Sequence, residues 1–287
     1  MNLYDETKFI MRQNNIVANK RLGQNFLIDE DVVNKITDSA EIQKSDLVIE
    51  IGPGLGTLTS KLIDKAEKVI CIELDSKMVK ILTNRFKLYD NLEIINEDIL
   101  KIDLQKLIEK NKTQNTKKVK IVANLPYYIT TPIIMKLLED KLDIDSITVM
   151  IQKEVANRLA AVPGEKDTGS ITYTVWYYTT PKIVIDVPKN SFIPEPEVTS
   201  SVIRFDILKR PRIEVVDEKF FFKIIKLAFM QKRKTLINAL INGKVLKNRE
   251  EAEKVFSKLG IDLQIRGEKL TINQYKELSD YILNSCK

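Results

Sequence analysis

Histidine is absent from the 287 residues. That excludes a Ser-His-Asp triad, a histidine general base and any histidine-ligated metal. Cysteine occurs twice, at Cys71 and Cys286, too few for a disulfide framework or a four-thiolate zinc site, so no metal is expected. Nine glycines and nine prolines are too few for collagen-like or proline-rich disorder. No apolar run approaches the roughly 18 residues a membrane span needs. The stretch from Met1 to Lys20 has no apolar core and carries Asp5 and Glu6, so it does not read as an export signal. Sparse cysteine without an export signal points to a reducing cytoplasm.

What is present is an ordinary globular balance, 44% apolar and 30% charged, in a chain long enough for one or two domains. The net charge of +6 is unevenly spread. Residues 207–287 hold 18 basic and 10 acidic side chains, against 28 and 30 in residues 1–206. The C-terminal segment carries the whole surplus. That suits contact with phosphates and suits equally a set of solvated basic helices.

Along the chain, residues 1–20 are polar and mixed and read as a flexible tail. Apolar runs at Leu47–Ile51, Val69–Ile72, Leu92–Ile95, Lys120–Ala123 and Ile147–Ile151 then alternate with segments of helical spacing. This alternation predicts an α/β fold, a doubly wound and mostly parallel sheet. Ile171–Thr180 and Lys182–Val187 read as extended, Ser201–Phe205 as a last strand. Beyond the linker at Lys209–Arg212 only helices are expected, the last opened by a capping box between Thr271 and Gln274. The predicted organisation is a tail over 1–20, a catalytic domain over 21–208 and a small all-helical domain over 209–287.

The chemistry begins at Gly52-Pro-Gly54-Leu-Gly56, directly after a strand and before a helix. Glycines there let the backbone turn tightly and a ligand approach. A dinucleotide loop spaces its third glycine one residue later. The Gly-x-Gly-x-Gly form instead resembles the first motif of S-adenosylmethionine (SAM) methyltransferases. Glu73 ends the second strand, where a carboxylate accepts from both ribose hydroxyls. Asp98, past the third strand, is placed to accept an adenine amine. Cys71 reads as a small core residue and Asp75 as a solvated acid.

Asn124-Leu125-Pro126-Tyr127 follows the fourth strand. It resembles the (Asn/Asp/Ser)-x-Pro-aromatic motif of enzymes that methylate amino nitrogens of bases. An adenine N6 amine is a poor nucleophile because its lone pair is delocalised into the ring. Two acceptors, the Asn124 side-chain oxygen and the Leu125 carbonyl, favour a pyramidal nitrogen. Pro126 fixes the turn, and Tyr127 offers a stacking face to an extruded base.

Lys20–Leu27, Gly52–Gly56, Asn124–Tyr127 and Phe192-Ile-Pro-Glu-Pro-Glu-Val198 together resemble the rRNA adenine N6-dimethyltransferase family. The resemblance implies a SAM-dependent enzyme of Rossmann-like fold that dimethylates two neighbouring adenines in the hairpin near the 3′ end of small-subunit rRNA, with a part in ribosome biogenesis. It also implies a SAM site at Asn25, Leu27, Gly52, Glu73, Asp98 and Asn124, and makes Phe192 a second stacking face opposite Tyr127. Lys223, Lys226, Lys232, Arg233 and Lys234 become candidates for holding the small subunit's rRNA. A monomer without membrane contact is expected. The rivals are a large-subunit rRNA adenine dimethyltransferase conferring macrolide resistance and a non-catalytic ribosome-assembly factor. A NAD-dependent dehydrogenase fails on glycine spacing and the missing histidine.

Overall fold

The apolar runs read as buried strands build the centre of one unit of the chain. The structure, a computed structural model, describes residues 2–19, 23–231 and 234–285. It divides into residues 1–156 with 181–207, and residues 157–180 with 208–287. The chain runs α1 (Leu3–Gln13), β1 (Phe26–Leu27), α2 (Glu30–Ser39), β2 (Asp46–Ile51), α3 (Thr57–Lys65), β3 (Lys68–Glu73), α4 (Ser76–Arg85), β4 (Leu92–Asn96), α5 (Leu104–Asn111), β5 (Lys118–Asn124), α6 (Thr130–Glu139) and β6 (Ser146–Gln152). There follow α7 (Lys153–Ala160), α8 (Ser170–Tyr178), β7 (Thr179–Val187), β8 (Phe192–Ile193) and β9 (Ser200–Ile207). The last helices are α9 (Glu218–Met230), α10 (Leu236–Asn242), α11 (Arg249–Lys258) and α12 (Ile272–Ser285).

Among the described residues the main sheet has the order β4-β3-β2-β5-β6-β9-β7. Strands β2 to β6 pair in parallel, and β9 returns antiparallel to β6. This is the Rossmann-like, mostly parallel sheet that the alternating pattern predicts. Every residue of β2 is buried, as expected for a parallel strand covered on both faces. Two of them, Asp46 and Glu50, are acidic. Asp46 is neutralised by Lys120 of β5 at 2.8 Å, with 1% and 3% of the two side chains exposed. Strand order reverses between β2 and β5, which opens a crevice beyond their carboxyl ends.

Three expectations need correction. The first residues are not a tail: α1 is capped by Asn2, whose side chain accepts from the Asp5 amide. Ile10 and Met11 pack against Phe26, Leu55, Met78 and Ile81, and Glu6 pairs with Arg85. Ile171–Thr180 is mostly helix, not extended, because packing overrides the β propensity of its aromatic and branched residues. In α8 Tyr173 sits edge-on to Tyr275 at 5.0 Å and donates to the Leu270 carbonyl at 2.5 Å. The helical unit therefore takes residues 157–180 as well as those after 208. Its core gathers Tyr173, Phe221, Phe256 and Tyr275. The capping box stands: the Thr271 amide donates to Gln274 Oε1 at 2.9 Å, and the Gln274 amide to Thr271 Oγ1 at 3.3 Å.

Candidate active site

The crevice at the strand ends is a cavity open to solvent, lined by Asn25, Leu27, Gly52, Gly54, Glu73, Asp98, Asn124, Leu125, Pro126 and Tyr127. Residues far apart in sequence thus meet in one place.

The glycine loop has two distinct jobs. Gly52 has φ +66° and nothing within 4 Å of the position a Cβ would take, so its backbone lies open to a ligand. Gly56 has φ +85°, and a Cβ there would stand 2.5 Å from the Phe86 ring. It packs the start of α3 against α4 and does not line the cavity. The loop is tied to β3 through Glu73, whose Oε2 accepts from the Gly54 amide at 3.1 Å. Glu73 Oε1 accepts from the Asp75 amide at 2.8 Å. Burial pushes the Glu73 carboxyl above its ordinary range. Asp75 caps α4 through the Lys77 amide at 2.9 Å and accepts from Gln24 at 3.1 Å, so it is a structural acid. Asp98 accepts from the Leu100 amide at 2.9 Å.

At the end of β5, Asn124 Nδ2 donates to the Asn25 carbonyl at 3.2 Å. That bond fixes the carboxamide and leaves Oδ1 as the outward acceptor. The Leu125 amide donates to the Met150 carbonyl at 3.1 Å. The Pro126 carbonyl is engaged by the Ile129 amide and the Thr130 hydroxyl. No described residue donates to the Leu125 carbonyl, which stays available. The Tyr127 hydroxyl meets Ser200 Oγ at 2.5 Å, and burial raises its pKa.

Phe192 departs from expectation. It is 2% exposed and belongs to the sheet core with Leu27, Val187 and Val202. Pairing of β8 with β1 sets Phe192 opposite Leu27, and Phe192 is not among the residues lining the cavity. Of the basic candidates, Lys223 and Lys226 lie exposed on one face of α9 and Lys234 is exposed. Lys232 and Arg233 lie outside the described residues.

Sequence reasoning passed over Leu74, which is 52% exposed and lines the cavity together with Ile99, Glu50 and Tyr128. An apolar residue directly after the strand-end carboxylate was the available signal for Leu74. Cys71 is buried and donates to Glu50 at 3.4 Å, a core residue as expected.

The charge of the lining is diagnostic. It includes Glu50, Glu73, Glu97 and Asp98, and none of the described lining residues is Lys or Arg. A pyrophosphate would be repelled, whereas a cationic, phosphate-free nucleoside such as SAM fits. Open Gly52, the carboxylates of Glu73 and Asp98 and the apolar faces of Leu74 and Ile99 match its amino acid, ribose and adenine portions.

A doubly wound sheet with this acidic pocket and an Asn-Leu-Pro-Tyr turn defines a SAM-dependent methyltransferase. The family model described as ribosomal RNA adenine dimethylase matches residues 15–284, and the chain belongs to that family. It is 49% identical over 276 residues to the ribosomal RNA small subunit methyltransferase A of Clostridium acetobutylicum, covering 96% of this chain and 98% of that one. It is 46% identical to the protein of the same name from Alkaliphilus oremlandii, covering 96% and 95%. Among solved structures, a dimethyladenosine transferase from Plasmodium falciparum superposes with a TM-score of 0.73 at 27% identity, covering 88% and 95%. The 23S rRNA methyltransferase ErmE shares the fold with a TM-score of 0.68 at 24% identity, covering 90% and 99%. No described helix is long and apolar enough to cross a membrane.

Proposed function

We propose that this enzyme transfers methyl groups from SAM to the N6 nitrogens of two adjacent adenines in the 3′-terminal hairpin of small-subunit rRNA, acting as a cytoplasmic monomer during subunit maturation. The observation that carries the reading is the Asn124–Asn25 hydrogen bond at 3.2 Å. It presents an oriented amide oxygen beside the free Leu125 carbonyl, in a pocket suited to a cation.

When bound, SAM supplies a methyl group on a sulfonium, an activated leaving group that needs no metal and no histidine or cysteine base. Glu73 and Asp98 would hold its nucleoside, and Gly52, Gly54, Asn25 and Leu27 would border the rest. Asn124 Oδ1 and the Leu125 carbonyl accept hydrogen bonds from the two amine hydrogens and turn the nitrogen lone pair towards the donor, and the proton that N6 sheds on gaining a methyl passes to solvent. Tyr127 supports the base on its face, its ring held by Ser200. The chain's contribution to rate is alignment and preorganised dipoles. After the first transfer one hydrogen remains, so one acceptor suffices for the second. Lys223, Lys226, Lys232, Arg233 and Lys234, in the unit that carries the basic surplus, would hold rRNA phosphates.

The test incubates labelled SAM with small subunits lacking this modification, then digests the rRNA. N6,N6-dimethyladenosine from the 3′-terminal hairpin is expected. Label in any other nucleoside, or on large subunits alone, overturns the reading.

A further inference from the structure

Tyr128 has no part in the mechanism above, yet it lines the same cavity and its side chain is left 56% exposed. The other aromatic residues lining that cavity among the described residues are Phe26 and Tyr127. Phe26 is 6% exposed and packed among Leu55, Met78 and Ile81. Tyr127 is half-buried and Tyr128 is exposed, so Tyr128 offers the more open of the two tyrosine rings.

Its direction differs from that of its neighbour. Tyr127 and Tyr128 are successive residues of a 3₁₀ turn, Tyr127–Ile129, in which side chains diverge by about 120° per residue. The contacts agree. Tyr127 reaches Ser200 on β9. The Tyr128 ring lies over the turn at Gly23, where a Cβ would stand 3.2 Å from the ring edge. Two rings so splayed cannot sandwich one base, and each must present its face to a different one.

We propose that Tyr128 forms a second nucleobase subsite, on which the nucleotide flanking the target adenine stacks while the target's amine lies at Asn124. This rests on the function proposed above and extends it to a pair of bases. Parking one adenine on Tyr128 holds the strand in register while its neighbour reacts. The subsite makes Tyr128 a determinant of selection for a target with a stacked neighbour, since base–aromatic stacking is favourable for any base but needs a base to be there.

The test is a double-mutant cycle between enzyme and RNA. Small subunits are reconstituted around rRNA carrying either both adenines or one adenine beside an abasic unit. With the natural pair, Tyr128→Ala is expected to lower kcat/KM roughly tenfold to a hundredfold, with Tyr128→Phe near wild type and SAM affinity by calorimetry unchanged in both. With the abasic RNA, wild type loses a similar factor and Tyr128→Ala loses no more. Losses that multiply, an unaltered kcat/KM in Tyr128→Ala, or a fall in SAM affinity matching the loss in kcat/KM would overturn the subsite, the last by reducing Tyr128 to a support for the Gly23 turn. Wild-type enzyme that makes no N6-methylated adenosine on natural subunits would instead remove the underlying function, a result obtained without any variant.

Discussion

Asn124 is oriented by the backbone of Asn25: its Nδ2 donates to that carbonyl at 3.2 Å, although the two residues lie 99 positions apart. The segment that supplies the carbonyl continues into β1, which is paired with β8. Asn124→Asp replaces the donor with a carboxylate oxygen facing a carbonyl oxygen. The substitution should lower methyl transfer at least a hundredfold while subunit binding in a filter assay stays within a fewfold. Asn124→Ala should behave alike. Transfer retained in both variants would take the amide out of the chemistry.

Glu73 joins the glycine loop to the end of β3 through the Gly54 amide and is the carboxylate placed to accept ribose hydroxyls. Glu73→Ala should weaken SAM binding, measured by calorimetry, by roughly tenfold or more, as expected for losing charge-assisted hydrogen bonds of about 1.5–3 kcal/mol. Glu73→Gln, which keeps one acceptor oxygen, should lose less. An equal loss in both would mean that Glu73 serves only the loop.

Much of this site is legible in the chain because buried parallel strands leave Val/Ile runs, and the residues that end them are polar or glycine. Gly52, Glu73, Asp98 and Asn124 are all found that way. The division of labour between Gly52, open to a ligand, and Gly56, pressed on Phe86, depends on α4 and cannot be read from spacing. Phe192 shows the same limit. A motif suggests a stacking ring, but packing in the sheet core with Leu27, Val187 and Val202 buries it. Helix α8 defeats local propensity altogether, since Thr-Tyr-Thr-Val-Trp-Tyr-Tyr favours a strand until Tyr275 and Phe229 pack against Tyr173. Thr271 and Gln274 were readable because a capping box is local.

Lys223 and Lys226 are exposed on α9, three positions apart on one helical face. If both meet rRNA phosphates, Lys223→Ala with Lys226→Ala should weaken subunit binding more at low salt than at high salt. The slope of log affinity against log salt should shrink by about one per lysine. An unchanged slope would assign these lysines to solvent.

The buried pair Lys120–Asp46 lies at the amino ends of β5 and β2, away from the strand ends that form the cavity. Asp46 also accepts from the Gln43 amide at 2.8 Å, and Lys120 donates to the Glu41 carbonyl. Lys120→Met strands a buried carboxylate and should cost about 3–5 kcal/mol in urea unfolding. The double variant with Asp46→Leu should recover much of that, because neither charge then needs a partner. Specific activity of the folded fraction should be unaffected in both. A double variant no better than the single one would show that the hydrogen bonds to Gln43 and Glu41 matter more than the charge pairing.

Glu50 makes stability depend on pH in an unusual direction. It is fully buried on β2, and desolvation lifts its carboxyl to about 7, against the opposing hydrogen bond from Thr59 at 2.6 Å. The unfolded chain titrates this group near 4.5. Between those values the folded state binds the extra proton, so lowering the pH through about 7 stabilises the fold through this residue and the gain is complete below 4.5. At pH 8 the ionised carboxylate costs roughly 3 kcal/mol. Glu50→Gln keeps an acceptor for Thr59 and removes the charge. It should therefore be more stable than wild type at pH 8 and lose that advantage by about pH 4.5. Urea unfolding of both proteins at the two pH values checks this. A stability difference that stays constant between them would mean that the Glu50 carboxyl titrates alike in the folded and the unfolded chain.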